Sequence, residues 1–509
     1  MKVLMVPLDD RPVTYLLPQL IARIAGCEAM MPPRNLMGSL KQSASLDAIF
    51  NWIDTALSTN KIEAVFICAD TLIHGGLINS RRSSETYKEL QARLNQIASW
   101  KKKAPQTPVF VQSSIMRISD NHDNVEEKEY WARYGREIFS WSTNLHRLAN
   151  DRTMTQGVVK ESEMRIPDAI RQDYLATRFR NFQINQNLID MLKSGHFSRL
   201  IFSLDDSGEF GLNVLEQEKL NSRLKYSNLT ERAFSYAGAD EVLCSMFAHW
   251  LAQTKISAPP AAQVFYALPA TEFCLSRYEG QSVGNSVRAQ MKACGIKTVD
   301  ADSGSNLSAS FNVVIHGGEN GQGDHMLLPG HQDLRAIDTR EAVTATLAIL
   351  EQSTMPCVLC DVAYANGADP LLIEKLLERP KLLAKLCGYA GWNTTGNTLG
   401  SALAMAVACW FKEFGQAQGS DSRSDTTQAL KEAICIRLGD DWAYQTQVRK
   451  NLSAISVPHL QEQMRPYLRR IEEAMGSQFS YDNVSFPWQR AFEVEISKSG
   501  SRETQLSVN

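Results

Sequence analysis

Short apolar runs recur along the chain, each followed by polar and glycine-rich residues and then by a stretch of helical period. The strand candidates are KVLMVPL, EAMMPP, EAVFICA, PVFVQSS, RLIFSL, QVFYAL, NVVIHG, PCVLCDV and LCGYAGW. They are apolar at successive positions, as strands covered by helices on both faces must be. Between them, Leu90, Leu94 and Ile97 share one helical face in SETYKELQARLNQIASW. In DTREAVTATLAILEQ, Asp338 and Glu341 have the spacing of a capping box ahead of the stripe Val343, Leu347, Leu350. Strands alternating with helices predict an α/β fold with a mainly parallel sheet.

Two architectures satisfy that pattern. The preferred one is a (β/α)8-like barrel over residues 1–413, with residues 115–198 as a largely helical insertion after the fourth strand. The alternative is two tandem doubly wound α/β domains. After residue 413 the character changes. A polar linker at 414–427 leads to a mainly helical region, 414–509, in which Leu460, Met464, Leu468, Ile471 and Met475 follow a helical period. Pro466 is expected to break or kink that helix, and the polar tail 497–509 to fray. No internal repeat stands out.

Composition narrows the partners. The 509 residues are 44% hydrophobic and 21% charged, with a formal net charge of −3. That balance suits a globular protein and offers no basic surface for nucleic acid or for a membrane. No run approaches the roughly 18 apolar residues of a membrane span, and the N-terminal MKVLMVPLDDRP lacks the long apolar core of a secretory signal. Cys68, Cys244, Cys387 and Cys409 lie among apolar neighbours. Reduced buried thiols, and so a cytoplasmic setting, are the simplest account. Cys357 and Cys360 have CxxC spacing but no partner pair, and core packing is their expected role. A homo-oligomer is left open.

The chemistry-bearing residues collect where strands end. The first strand candidate runs into Asp9, Asp10 and Arg11, and the third into Asp70, His74 and Arg81. The fourth leads to Gln112, Ser113 and Arg117, and the fifth to Asp205, Asp206 and Glu209. Later ones lead to Asp361, Tyr364, Asn366 and Asp369, and to Trp392, Asn393 and Asn397. In parallel α/β folds the carboxyl ends of strands share one edge, where ligands bind. The plain alternative is that loops are polar and helices start on capping Asp, Ser or Thr.

The adjacent acids Asp205 and Asp206 are the sharpest feature. Two close carboxylates repel, so one keeps its proton to higher pH while the other stays ionised. Glycoside cleavage uses that division. In a substrate-assisted hexosaminidase the sugar's acetamido oxygen is the nucleophile. Asp205 would orient the acetamido group and Asp206 would be the general acid/base. Asp9, Asp10, Arg11, Asp70, His74, Arg81, Arg117, Glu209, Asp361, Asn366, Asp369, Asn393 and Asn397 would line a sugar site. Trp392, with Tyr364 or Tyr389, would stack on a pyranose. That reading needs no cofactor. A second takes Asp205 and Asp206, with Asp9, Asp10 and Asp361, as ligands of Mg²⁺ or Mn²⁺ for hydrolysis of phosphate esters or sugar phosphates. A third is a carbohydrate-binding protein without catalysis. A purely structural role, a helix cap or an ion pair with Arg11 or Arg81, also fits the acids. The glycine-rich GGENGQG lacks the Walker lysine and the dinucleotide spacing. Asp240 and Glu241, in YAGADEVLCS, read equally as a further loop site or as charge at a helix start.

The segments VPLDDRPV, HGGLINSR, SSIMRIS, LDDSGEFG, GADE, ANGAD and YAGWNTTGNTLGSALA resemble the bacterial domain-of-unknown-function family 4127 over about residues 3–405. The family's fifth-strand motif reads D-D-T-A-P-Y-G. Here Glu209 and Phe210 replace Pro and Tyr, which keeps the acid pair and changes its surroundings. The resemblance implies kinship and no particular chemistry. FSLDD and GWN are also similar to short segments of O-GlcNAcase-type hexosaminidases, which favours the glycosidase reading.

Overall fold

A computed structural model describes residues 1–150, 154–254, 258–299, 308–326, 337–414, 422–477 and 480–498. It divides into two compact units. Unit 1 comprises Met1–Gln19, Cys27–Phe247 and Ser276–Gln281; unit 2 comprises Leu20–Gly26, Ala248–Leu275 and Ser282–Asn509.

Unit 1 is built on β1 (Lys2–Val6), β2 (Glu28–Met30), β3 (Ala64–Cys68), β4 (Val109–Ile115), β5 (Arg199–Leu204) and β6 (Ala233–Ala237). They form one open parallel sheet in the order β2-β1-β3-β4-β5-β6. Every residue of β3, β4 and β5 is buried, which is why these strands read as unbroken apolar runs. Val65, Ile67, Val111, Leu200 and Phe202 share one hydrophobic cluster with Leu90, Leu94, Ile97 and Leu188 from the flanking helices. Between β4 and β5 lie helices Trp131–Asn150, Gln156–Met164 and Asp168–Lys193.

Unit 2 contains β7 (Ala261–Tyr266), β8 (Lys297–Thr298), β9 (Phe311–His316), β10 (Gly323–Asp324), β11 (Cys357–Asp361), β12 (Tyr364–Ala365), β13 (Leu386–Ala390), β14 (Asn483–Ser485) and β15 (Glu495–Ser497). The main sheet is again parallel and open, in the order β13-β11-β9-β7-β8. Numbered within each unit, both sheets run 2-1-3-4-5, with one further strand in unit 1. This is a doubly wound order whose direction switches between strands 1 and 3. The same topology is thus used twice without a visible sequence repeat.

The preferred barrel is therefore corrected. Closure needs the last strand to bond to the first, whereas the described strands make two open sheets, each with its own edges. All nine strand candidates are strands, but five belong to one sheet and four to the other. The sixth strand, AFSYA, is only partly buried, and its short mixed pattern gave little sign of a strand.

The helical C-terminal region completes unit 2. Trp442, Leu460, Met464, Leu468 and Ile471 lie in one hydrophobic cluster with Val314, Leu359 and Leu386 of the sheet. Pro466 lies inside the helix Val457–Met475, which the structure carries through it as one element. The capping box at Asp338 and Glu341 does not form. Thr339 is the N-cap residue, and Asp338 instead accepts from the Arg340 backbone and guanidinium. Of the polar linker 414–427, residues 415–421 lie outside the described residues, and Ser422–Arg437 is helical. The tail beyond 498 also lies outside them. All ten cysteines are free thiols. Cys357 and Cys360 are buried in β11, and burial pushes the Cys360 thiol well above its ordinary range.

Candidate functional site

Within unit 1 the segments that follow β1, β3, β4, β5 and β6 hold a charged cluster. Arg11, just past β1, is its first hub. Its backbone N–H donates to Asp9 Oδ1 at 3.0 Å, and its Nε and Nη2 donate to Asp9 Oδ2 at 2.9 and 2.7 Å. The guanidinium also grips Asp240, just past β6, with contacts of 2.6 and 3.3 Å. Thr14 Oγ1 donates to Asp9 Oδ1. Asp9, Arg11 and Asp240 are all buried. Planar forks of this kind fix carboxylates in orientation as well as in charge.

Arg81 and Arg117 form the second hub. Arg81, 1% exposed in its side chain, donates to Asp205 Oδ2 at 2.6 Å and reaches Glu126 and Glu127 at 3.4 Å. Arg117 meets Glu126 at 2.8 Å, Glu127 at 3.0 Å, Asp206 at 3.2 Å and Asp205 at 3.5 Å. Both acids of the pair thus touch one guanidinium. Four carboxylates surround two arginines, so the hub is negative when all are ionised.

That excess is relieved by protonation. Burial, then the charge of Asp205, pushes Asp206 up to about 6, against the pull of Arg117 and Arg81. Burial, with Asp9 and Asp205, likewise holds Asp240 near 7 despite Arg11. Asp205 is felt by Asp240 as well as by Asp206, so the two hubs are one electrostatic system.

The remaining candidates of unit 1 are less open. Asp70 is buried, accepts from the Ser114 backbone N–H at 2.8 Å, and is raised from the ordinary carboxylate range by burial. His74 is 4% exposed, and burial, with Arg180 and Arg93, drives its imidazole down to about 3. It is neutral and its Nδ1 meets no partner. Asp10 offers its main-chain oxygen to Arg34 at 3.1 and 2.8 Å. Glu209 is exposed on the loop after the acid pair. Gln112 bridges Ser203 and the Ala239 carbonyl and accepts from Cys68 Sγ, while Ser113 donates to Asn185.

The other candidates belong to unit 2. Asp361, at the end of β11, accepts from the backbone of Ala363 and Asp369 at 3.3 and 2.7 Å. Asp369 caps the helix Pro370–Leu377 through the Leu371 N–H and meets His316 Nε2 at 2.9 Å. Thr346 Oγ1 lies 2.8 Å from His316 Nδ1. Burial and Asp369 hold Asp361 near 7 against the pull of His316. Asn366 donates to Asp324 at 3.0 Å and takes a left-handed backbone, as does Asn393. The Asn397 N–H points at Thr394 Oγ1. These groups serve turns and helix starts, the plainer of the two sequence readings.

The model of the family described as "Protein of unknown function (DUF4127)" matches residues 3–497. The chain belongs to the DUF4127 family. No curated protein matches the chain. The family motifs quoted from the sequence mark the charged clusters: VPLDDRPV, HGGLINSR, SSIMRIS, LDDSGEFG and GADE supply the hubs of unit 1, and ANGAD and YAGWNTTGNTLG the cluster of unit 2.

Two sequence expectations for this DUF4127 protein need correction. The pyranose platform does not exist as expected. Trp392 is 3% exposed, with Arg437 over its ring at 5.6 Å and Phe492 edge-on at 6.1 Å. Tyr389 is fully buried, and Tyr364 stacks on His325. Nor do Asp9, Asp10, Asp205, Asp206 and Asp361 offer a set of bare oxygens to Mg²⁺ or Mn²⁺. Asp9 and Asp205 are gripped by arginines, and among the described residues no three His, Cys, Asp or Glu side chains gather as metal ligands. Among the same residues, no helix is long and apolar enough to cross a membrane.

Sequence reasoning missed Glu126 and Glu127 and gave Asp240 little weight. Asp240 carried a usable sign, since GADE follows a partly apolar run. Glu126 and Glu127 carried none, for DNVEEKEY reads as a solvated charge run.

Proposed function

We propose that this DUF4127 protein is an acid–base hydrolase of small glycans, with N-acetylhexosaminides as the first substrates to try. The observation that carries the reading is Asp206, raised to about 6 beside a second carboxylate that Arg81 holds. A group with that affinity for protons is poised to donate near neutral pH. Asp206 is the general acid to the leaving oxygen and then the base toward water. Both arginine contacts to Asp205 fall on Oδ2, so Oδ1 is available to accept from a substrate N–H. Each side chain is partly exposed, 22% for Asp205 and 33% for Asp206, which lets a substrate reach them.

Charge supports a neutral substrate over a phosphate ester. The hub has more carboxylates than guanidinium groups, and such a field repels a phosphate dianion while leaving hydroxyl and amide groups unaffected. The experiment is turnover of a panel of aryl glycosides, aryl N-acetylhexosaminides included, by the wild type and Asp206→Asn. The expected result is a rate that declines as pH rises past about 6 and that drops about 10²- to 10⁴-fold in Asp206→Asn with KM nearly kept. Sugar binding without turnover, or full activity in Asp206→Asn, overturns the proposal.

A further inference from the structure

The turn Ser276–Gln281 belongs to unit 1 although it lies in sequence between two strands of unit 2. It is closed by Ser276 N–H to Gln281 O at 2.8 Å and by Glu279 N–H to Ser276 O at 3.4 Å. Its carbonyls face the residue that follows the acid pair. The Ser207 N–H donates to Tyr278 O at 2.7 Å, and Ser207 Oγ donates to Glu279 O at 3.1 Å. One residue further on, the two backbones touch. A Cβ on Gly280 would lie 2.5 Å from Gly208 O and 2.7 Å from its carbonyl carbon. Only glycine fits there, and Gly280 is also left-handed at φ 62°.

The acid loop is pinned again downstream. The Gly211 N–H donates to His146 Nδ1 at 3.1 Å, the Leu212 N–H donates to Ser142 Oγ at 2.8 Å, and the Phe210 ring meets His146 edge-on. Between β5 and these two anchors, Asp206 takes a left-handed backbone at φ 45°, a region few side chains occupy. Such a conformation persists only where neighbours hold it.

We propose that the turn Ser276–Gln281 is a positioning element, which clamps Ser207 and Gly208 and so keeps the Asp206 carboxyl against Arg117 and beside Asp205. It holds Ser207 and Gly208 through its main chain, with Ser207 Oγ and the missing Gly280 side chain as points where sequence matters. The charged groups that act on Asp206 are Asp205, Arg117, Arg81 and Glu126, and the turn itself carries Arg277 and Glu279. Gly280→Ala replaces none of these residues; it releases the loop that aims Asp206 at its partners.

The catalytic half of this inference rests on reading Asp206 as the acid, and the experiment separates the two. The full-length protein is labelled with [4-¹³C]aspartate, and the Asp206 signal is assigned by its loss in Asp206→Asn. Wild type, Gly280→Ala and Gly195→Ala are then titrated and assayed. Gly195 has a comparable left-handed backbone with nothing within 4 Å, so it controls for strain alone. In Gly280→Ala the Asp206 midpoint is expected to fall by about half a pH unit or more as the loop hydrates, and kcat to fall about tenfold with KM little changed. Gly195→Ala is expected to match wild type. A folded Gly280→Ala whose Asp206 midpoint matches wild type overturns the proposal. If Gly280→Ala does not fold, Ser207→Ala gives the same test with one hydrogen bond removed. A wild-type Asp206 that titrates in the ordinary carboxylate range overturns the acid assignment, and a shift in Gly280→Ala then still reports the clamp.

Discussion

Arg81 donates to Asp205 across 2.6 Å although 124 residues separate them in the chain. The arginine comes from the helical segment after β3 and is almost completely buried, while the aspartate directly follows β5. A buried guanidinium costs several kcal/mol to desolvate and is tolerated only with its acids in place. Arg81 therefore does more than decorate the rim: it sets which member of the acid pair is fixed, and leaves Asp206 as the member that takes a proton.

Removing that guanidinium should unsettle unit 1. Arg81→Met takes from Asp205, Glu126 and Glu127 one of the two guanidinium groups they share and leaves Arg117. The expected loss is about 3–5 kcal/mol by urea unfolding, with a smaller loss for Arg81→Lys, which keeps the charge but not the fork. Unchanged unfolding of Arg81→Met would show that the pair contributes nothing.

Asp206 gives stability a defined pH dependence. Its folded value, about 6, lies above the ordinary 3.8, so between those values the folded chain binds more protons than the unfolded one. Its contribution is complete below about 3.8 and is lost as pH rises through about 6. Asp206→Asn, which mimics the neutral form, should match wild type near pH 4 and exceed it at pH 8. Allowing for the solvent exposure of the side chain, the gain is ~1 kcal/mol. Chemical denaturation at the two pH values measures it, and wild type remaining the more stable at pH 8 would contradict it.

Gly238 should resist substitution. It sits at φ 123°, where a Cβ would lie 2.3 Å from a Glu241 carboxylate oxygen, one residue before the Ala239–Asp240 step that feeds Arg11. Gly238→Ala is expected to cost about 2–3 kcal/mol from backbone strain and the close contact together. A calorimetric melt indistinguishable from wild type would refute this.

In unit 2, His316 links Thr346 to Asp369 and is fully buried. Burial alone would lower its imidazole, but the hydrogen bond to Asp369 and the charges of Asp361 and Asp369 raise it. Replacing it by Phe puts a somewhat larger, apolar ring in its place and removes the partner of Asp369 Oδ2, leaving the Leu371 N–H on Oδ1, for an expected loss of about 3 kcal/mol. If His316→Phe unfolds at the wild-type urea midpoint, the hydrogen-bonded chain through His316 is not what holds that strand end.

The sequence alone determined the element types. Apolar runs such as AVFIC and RLIFSL had to be buried strands, because continuous apolar residues on both faces leave no water-facing side. It also placed charged groups after those strands, where polar loops must be. Only the tertiary structure decided which strand pairs with which, since backbone hydrogen bonds are the same for every strand and no side chain records its neighbour. That is why nine correct strands were gathered into one barrel when they belong to two open sheets. The site divides the same way. Asp205 and Asp206 were visible as neighbours in sequence, but Glu126 and Glu127 join them through Arg81 and Arg117, and Asp240 joins Asp9 through Arg11. Whether a loop acid is solvated or shares a buried guanidinium depends on distance in space, and the order of residues along a chain does not carry that distance.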